Sequence, residues 1–307
     1  MKKWLAVIVA LVMMVAAGCS MQAPGSDKKA EDKGGNKKIK IGFSISTLNN
    51  PFFVTLKKGA EKKAKELGME LITVDAQNDA AKQANDVEDL IQKGVNLIVI
   101  NPTDSDAVGS AVTAANNANI PVITVDRSAK SGKVVSHIAS NNVEGGKMAG
   151  DYILQLVGKG ANVVELEGIP GSSAARERGE GFHKAVDGQL NVAAKQAANF
   201  DRAQGLSVME NILQSKSDIK AVFAHNDEMA LGALEALKSA GKKDVLVVGF
   251  DATDDAVKAV NAGDMAGTIA QKPELIGQTA METAQKVAEG KKVDEFIPVK
   301  LELIKKK

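Results

Sequence analysis

Short β-rich runs alternate with amphipathic helical patterns from residue 39 to the C-terminus. Most runs are continuously apolar, as expected of parallel strands covered on both faces. In the first helical pattern, apolar residues recur at Leu56, Ala60, Ala64 and Leu67, and Gly68 then stops the helix. Strands are predicted at 39–45, 70–75, 96–101, 121–126, 162–168, 191–196, 220–226, 244–250 and 267–271. Helices are predicted at 53–67, 80–93, 107–117, 143–157, 174–186, 204–213, 229–239, 256–261 and 276–288.

This alternation predicts βαβ units and parallel sheets. Because there are more strands than one sheet of ordinary size holds, two similar α/β lobes fit better. The first strand series ends near Val125, and the second starts near Val134 or Val163. A lone strand at 296–304 fits either lobe, and the pattern does not fix where the chain crosses between them.

The N-terminus has the composition of an export signal. Two lysines precede an apolar run from Trp4 to Ala17, which is shorter than the about 20 residues of a membrane span. Cys19 is the only cysteine, and the stretch around it resembles a bacterial lipoprotein signal, in which lipid is added to the cysteine after cleavage. We predict a signal peptide at 1–18 and lipidation at Cys19. A polar, disordered tether then reaches residue 38, which gives an extracytoplasmic, lipid-anchored protein.

Composition excludes several classes of function. A net charge of +1 over 307 residues provides no basic field for nucleic acid. The three histidines, His137, His183 and His225, lack metal-site spacing, and no dinucleotide, P-loop or GxSxG motif occurs. We therefore predict no catalytic residue, no metal and no cofactor.

Polar and aromatic residues follow the predicted strands, at the carboxyl ends where open α/β sheets bind ligands. They include Asn50, Phe52, Phe53, Asn101, Asp126, Arg127, Phe200, Asn226, Phe250, Asp251 and Gln271. Amides donate and accept, aspartate accepts, and arginine donates through a planar fork. Such groups beside flat apolar rings suit a sugar, because its hydroxyls both donate and accept hydrogen bonds and its C–H face packs on aromatic rings.

Other interpretations of these positions stay open at this point. Asn and Asp end many strands simply because they favour turns. Phe250 also fits a core position, and Phe52-Phe53 fits a packing element at a helix start. The spacing favours a polar cleft but does not by itself name a ligand.

Longer stretches resemble bacterial ribose-binding proteins, the substrate-binding components of ABC-type ribose importers in the type I periplasmic binding protein family. They are STLNNPFF, INPTDSDAV, ANIPVITVDR, VVSHIAS, GSSAARERGEGF, NDEMALGAL, VVGFD and TIAQ. The resemblance runs from about Ile39 to the C-terminus. It implies two doubly wound parallel-sheet lobes joined by a three-crossover hinge near Ser140, Gln271 and Lys300. The N-terminal lobe would be 39–140 plus 272–300, and the C-terminal lobe 141–271 plus 301–307.

The resemblance also implies the ligand and its contacts. D-ribose would stack on Phe52, Phe53 and Phe200, with Phe250 lining the pocket. The implied hydrogen-bonding set is Asn50, Asn101, Asp126, Arg127, Arg178, Asn226, Asp251 and Gln271. We expect the two arginines to keep the aspartates ionised.

The implied partners are D-ribose and the membrane subunits of an ABC-type ribose permease, with a chemotaxis receptor as a further candidate. We expect a monomer that touches the membrane only through its lipid.

Three alternative functions are open to the sequence. The same transport role could serve another sugar, such as allose or a furanose signalling molecule. A sugar-modifying enzyme would need proton-donating carboxyl groups, whereas carboxylates beside arginines or amides suit binding better. A sugar-responsive repressor of similar fold would carry a DNA-binding module where this chain carries its export signal.

Overall fold

Two six-stranded sheets and the helices that cover them make up the computed structural model, which describes residues 38–306. The strands are β1 Lys40–Ile45, β2 Glu70–Asp75, β3 Leu97–Ile100, β4 Val122–Val125, β5 Ser136–Ser140, β6 Asn162–Glu167, β7 Asn191–Ala197, β8 Ala221–Ala224, β9 Leu246–Asp251, β10 Gly267–Ala270, β11 Phe296–Val299 and β12 Glu302–Lys305. The helices are α1 Pro51–Glu66, α2 Ala80–Gln92, α3 Val108–Asn117, α4 Asn142–Val157, α5 Ser173–Val186, α6 Arg202–Ser215, α7 Asp227–Ser239, α8 Asp254–Ala262 and α9 Pro273–Ala288.

The two sheets repeat one topology. The first has the order β11-β5-β4-β3-β1-β2, and the second the order β12-β10-β9-β8-β6-β7. Neighbouring strands are parallel except β12, which runs antiparallel to β10. We call the first sheet with α1, α2, α3 and α9 lobe 1, and the second sheet with α4 to α8 lobe 2. The predicted class, two doubly wound α/β lobes, is confirmed.

Apolar burial on both faces of each sheet explains the continuous apolar strands. In lobe 1, one core lies under α1 and α9 and a second lies under α2 and α3. In lobe 2, one core lies under α4 and α5 and a second under α6 and α7. The central strands β3, β4, β8 and β10 are buried along their whole length.

The chain passes between the sheets at three places. It leaves β5 of the first sheet for α4, which packs on α5, and it leaves β10 of the second sheet for α9, which packs on α1. The third passage lies between β11 and β12, where we predicted one continuous strand. That prediction is wrong: the segment divides at residues 300–301, and its halves pair with different sheets.

Several helices begin earlier than predicted, at the residue that follows a polar N-cap. Asn50, Asp201, Asn226 and Thr253 occupy N-cap positions, and each side chain accepts a hydrogen bond from a backbone N–H of the first turn. A helix predicted from apolar residues at helical spacing starts too late, because its polar N-cap is not part of that spacing. Within residues 38–306 no helix has the length and apolarity needed to cross a membrane. The predicted signal peptide, Cys19 and nearly all of the tether lie outside the described residues.

Candidate functional site

The carboxyl ends of both sheets contribute side chains to one small, largely buried space. The lining contains every predicted site residue except Asn101 and Phe250, together with Ala174. All twelve predicted side chains except Phe200 are less than one-tenth exposed. A larger groove beside it shares Phe52, Asp251 and Gln271.

The start of α1 places two of the aromatic rings. Asn50 caps the helix, since its Oδ1 accepts from the backbone N of Phe52 at 2.9 Å, and Pro51 occupies the first helical position. Phe52 and Phe53 therefore project from the first turn, with their rings 5.2 Å apart and nearly perpendicular. The helix-start packing and the ring-lined cleft, weighed as alternatives, are both present here.

Asp126 and Arg127 follow β4 and are both buried. The Asp126 Oδ2 atom lies 3.6 Å from the Arg127 Nε atom and accepts from Asn101 Nδ2 at 3.2 Å. Asn101 also donates to the backbone O of Val125. It lies behind the lining, and its hydrogen bond fixes the Asp126 carboxylate. Its bonds in this structure support a neighbouring residue, and the ligand contact that the resemblance implies for Asn101 stays a prediction.

Phe200 reaches the site from the loop between β7 and α6. Its ring centre lies 5.3 Å from the Arg127 Cζ atom and 5.8 Å from the Arg178 Cζ atom. The ring packs directly on Gly168, where an added Cβ would overlap it. Phe200 therefore meets the arginine of each lobe.

Arg178 enters from the side of α5 and is fixed by three partners. Its Nε donates to Asn142 Oδ1 at 2.9 Å, and its Nη1 donates to the backbone O of His225 at 2.6 Å. Its Cζ atom lies 3.9 Å from the ring centre of Phe250, which is fully buried. The Phe250 ring thus packs against the Arg178 guanidinium, and its predicted contact with the ligand stays a prediction.

Asp251 ends β9, and its Oδ1 accepts from Gln271 Nε2 at 2.8 Å and lies 3.9 Å from Arg178 Nη1. Burial raises the pKa of Asp251 well above its ordinary value, and the Arg178 charge opposes this rise. Desolvation therefore outweighs the attraction of Arg178 in setting the direction of this pKa shift, and our expectation that the arginine keeps Asp251 ionised stays a prediction.

Left-handed backbone occurs at three of the predicted residues. The φ angles are 63° at Asp126, 61° at Phe200 and 120° at Asp251. A non-glycine residue in this region costs roughly 1–3 kcal/mol, and such strain concentrates at binding sites. The surrounding contacts therefore hold these side chains in place against a local preference.

Two buried polar atoms of the lining have no hydrogen-bond partner among the described residues: Arg127 Nε and Gln271 Oε1. An unpaired buried donor or acceptor costs about 1–3 kcal/mol. Burial also lowers the pKa of Arg127 to about 10, opposed by the Asp126 carboxylate, so the group stays charged at neutral pH. Arg127 Nε could therefore donate a hydrogen bond to a ligand, and Gln271 Oε1 could accept one from it.

The polar lining is divided between the two lobes. Among residues 38–306 no cluster of His, Cys, Asp and Glu could hold a metal ion. The polar groups of the lining belong to both lobes: Asn50, Asp126 and Arg127 to lobe 1, and Arg178, Asn226 and Asp251 to lobe 2. A small polyhydroxylated ligand would contact both lobes at once.

Sequence reasoning missed Ala174 and Asn142, which shape this site. Ala174 lines the space, and Asn142 and the backbone of His225 fix Arg178. Alanine has no functional group that would mark it as a site residue. The position of a backbone carbonyl is not visible in a sequence pattern. The Asn at the start of α4 reads equally well as a helix cap.

The chain resembles known proteins over most of its length. Residues 41–292 match the family model described as periplasmic binding protein domain. Ribose import binding protein RbsB of Bacillus subtilis (strain 168) is 55% identical, covering 98% of this chain and 99% of the relative. RbsB of Escherichia coli (strain K12) is 60% identical, covering 87% of this chain and 90% of the relative.

Solved structures agree with the fold. An ABC transporter solute binding protein from Mycobacterium smegmatis with bound glycerol superposes with a TM-score of 0.85 at 37% identity, covering 88% of this chain and 94% of that one. A periplasmic solute binding protein from Actinobacillus succinogenes 130z with bound D-allose gives 0.83 at 32% identity, covering 88% and 98%. The resemblance expected from the sequence is confirmed, and the chain belongs to the periplasmic binding protein family.

Proposed function

We propose that this protein binds D-ribose outside the cytoplasm and delivers it to the membrane subunits of an ABC-type permease. The observation that carries the proposal is the small buried space shared by the two lobes, with phenylalanine rings, two arginines and two aspartates in its lining. The ribose import binding proteins at 55% and 60% identity support ribose as the sugar.

Each part of the lining has a role in this proposal. The rings of Phe52, Phe53 and Phe200 cover the apolar face of the sugar. Asp126 and Asp251 accept from hydroxyls, Arg127 and Arg178 donate to them, and the amides of Asn50, Asn226 and Gln271 do both. Asn101 and Phe250, which lie behind the lining, hold Asp126 and Arg178 in place.

Lobe closure links binding to delivery. We assign 39–140 plus 272–300 to one lobe and 141–271 plus 301–307 to the other, with hinges near Ser140, Gln271 and Lys300. Because both lobes supply polar groups, the sugar favours the state in which both lobes reach it. The permease then distinguishes the loaded protein by its shape, and a chemotaxis receptor could read the same state.

A sugar panel tests the ligand. Calorimetric titration of the purified protein with D-ribose, D-allose, D-galactose, D-glucose and D-apiose should give the tightest binding for ribose. Equal affinities, or a preference for another member, would reject ribose specificity while leaving the transport class intact. Absence of binding to every sugar would reject the proposed function itself.

Lipid anchoring at Cys19 completes the proposal. The apolar run ending at Ala17, and a single cysteine after it, support cleavage before Cys19 and transfer of lipid to its thiol. Replacing Cys19 with Ser should release the protein from the membrane fraction. Continued retention of the Cys19→Ser protein in that fraction would count against the anchor.

A further inference from the structure

Asp227 is a fully buried carboxylate that does not line the space described above. It is the first residue of α7, directly after Asn226. Its Oδ2 accepts from the backbone N of Thr253 at 2.7 Å and from Thr253 Oγ1 at 3.2 Å. Its Oδ1 accepts from Thr268 Oγ1 at 2.7 Å. Both oxygens are thus used to hold other segments of lobe 2.

The segment that Asp227 holds has a strained backbone. The φ angles of Asp251 and Ala252 are 120° and 55°, and neither residue is glycine. The backbone N of Ala252 donates to Thr268 Oγ1 at 3.2 Å, so the hydroxyl that Asp227 accepts from also binds this turn. The two backbone N–H groups after Asp251 are therefore both bound, one to Asp227 and the other to its threonine partner.

Burying this carboxylate is costly. Desolvation raises the pKa of Asp227 to about 7, and the hydrogen bonds from Thr268 and Thr253 oppose the rise. The Asp227 charge also raises the pKa of Asp251. An apolar side chain here would avoid both costs but would leave the Thr253 N–H and the Thr268 hydroxyl without this acceptor.

We propose that Asp227 is a positioning residue, which with Thr268 clamps the strained turn at 251–253 so that the Asp251 side chain points into the sugar site. The role of Asp251 towards sugar rests on the proposed function, but the clamp itself does not. The clamp binds the backbone N–H groups that follow Asp251, so we expect its effect on the ligand to pass through the Asp251 side chain.

Amide hydrogen exchange of the ligand-free full chain tests the clamp directly. Thr268→Val removes one hydroxyl and keeps the side-chain shape, whereas Asp227→Ala removes the acceptor. Both should speed exchange at Ala252 and Thr253 at least tenfold. The control Asp79→Ala removes a carboxylate that accepts from Ala81 N and Lys82 N in lobe 1, and it should leave exchange at 252 and 253 unchanged. Unchanged exchange in both clamp variants would overturn the proposal, whatever the protein binds.

A double-mutant cycle then tests positioning against a general loss of stability. Asp227→Ala and Thr268→Val should each raise the ribose dissociation constant at least fivefold in the native background. In an Asp251→Ala background the same changes should have no further effect, because no side chain remains to be positioned. If the Asp227→Ala variant does not fold, the Thr268→Val variant alone still tests the proposal.

The proposal is overturned if the clamp variants lose ribose affinity by the same factor in the native and the Asp251→Ala backgrounds. It is also overturned if they lower the melting temperature but leave the dissociation constant unchanged. Either result would make Asp227 a purely structural residue. If the native protein binds none of the sugars, the proposed function fails, and the exchange experiment decides the clamp by itself.

Discussion

The side-chain oxygen of Ser105 in lobe 1 accepts a hydrogen bond at 3.1 Å from the backbone N of Ser173 in lobe 2. Two further bonds lie beside it: the backbone N of Ser105 donates to the carbonyl of Gly171 at 3.0 Å, and the backbone N of Ser128 donates to Ser173 Oγ at 2.9 Å. These bonds join the lobes directly. In a hinge mechanism they would exist only while the lobes are together.

Ser105→Ala should therefore weaken ribose binding without touching the sugar. A net hydrogen bond contributes about 0.5–1.5 kcal/mol, so we expect the dissociation constant to rise about threefold to tenfold as the closed state is depopulated. Titration calorimetry measures the change. The control Ser110→Ala loses a bond within α3, from Ser110 Oγ to the carbonyl of Ala107, and should bind normally. A changed ranking among sugars would indicate direct contact instead.

Arg178→Ala should cost about 2–5 kcal/mol of ribose binding, roughly 30-fold to several-thousand-fold, because it leaves Asp251 buried without its nearest cation. Arg176→Ala is the matched control, since Arg176 lies on the same helix but is exposed. Near-native affinity of the Arg178 variant would place the pocket elsewhere. The measurement is again a ribose titration of folded protein, with folding checked by circular dichroism.

Phe200→Leu should lower ribose affinity about fivefold, because an aromatic contact is worth about 0.5–1.5 kcal/mol beyond the area it buries. Phe200 is only partly buried, so the variant should keep its melting temperature. Phe296→Leu changes an exposed ring on β11, which stacks on His137, and should leave binding unchanged. If the two variants bind ribose with equal affinity, the Phe200 ring does not contact the sugar.

His225 should make the protein less stable in mild acid. Its Nε2 lies 2.9 Å from Glu165 Oε1, and Gly168 N donates to its Nδ1 at 3.4 Å, which fits a neutral ring with the proton on Nε2. Burial lowers the pKa of His225 below 6.5. Below pH 6.5 the unfolded chain therefore binds more protons than the folded one, and stability falls with falling pH by up to about 1.4 kcal/mol per pH unit.

His225→Gln should flatten that decline between pH 6.5 and 5 in urea titrations. His183 provides a control of opposite sign. Contacts with Asp187 and Glu165 raise its pKa above 6.5, against desolvation, so its stabilisation is present in acid and lost as pH rises. His183→Gln should therefore cost more stability at pH 5.5 than at pH 8. An unchanged acid decline in the His225 variant would contradict the buried neutral ring.

Much of the site could be predicted because its residues follow strands. Asp126, Asn226 and Asp251 stand directly after or at the end of apolar runs, and parallel strands bring such ends to one edge. Arg178 has no such position: it lies within α5, and only the resemblance pointed to it. The packing of α4 on α5, which places Asn142 beside Arg178, cannot be read from either helix alone.

The sequence by itself determined where most strands and helices lie and which chemistry follows those strands, because periodicity, caps and turn residues act over a few neighbouring positions. Only the tertiary structure decided which strand ends meet, that residues 296–305 serve both sheets, and that Asn101 and Phe250 stand behind the lining. It also decided that burial, rather than the neighbouring arginine, sets the pKa of Asp251. Those outcomes depend on desolvation and on contacts between residues far apart in the chain, which no local pattern encodes.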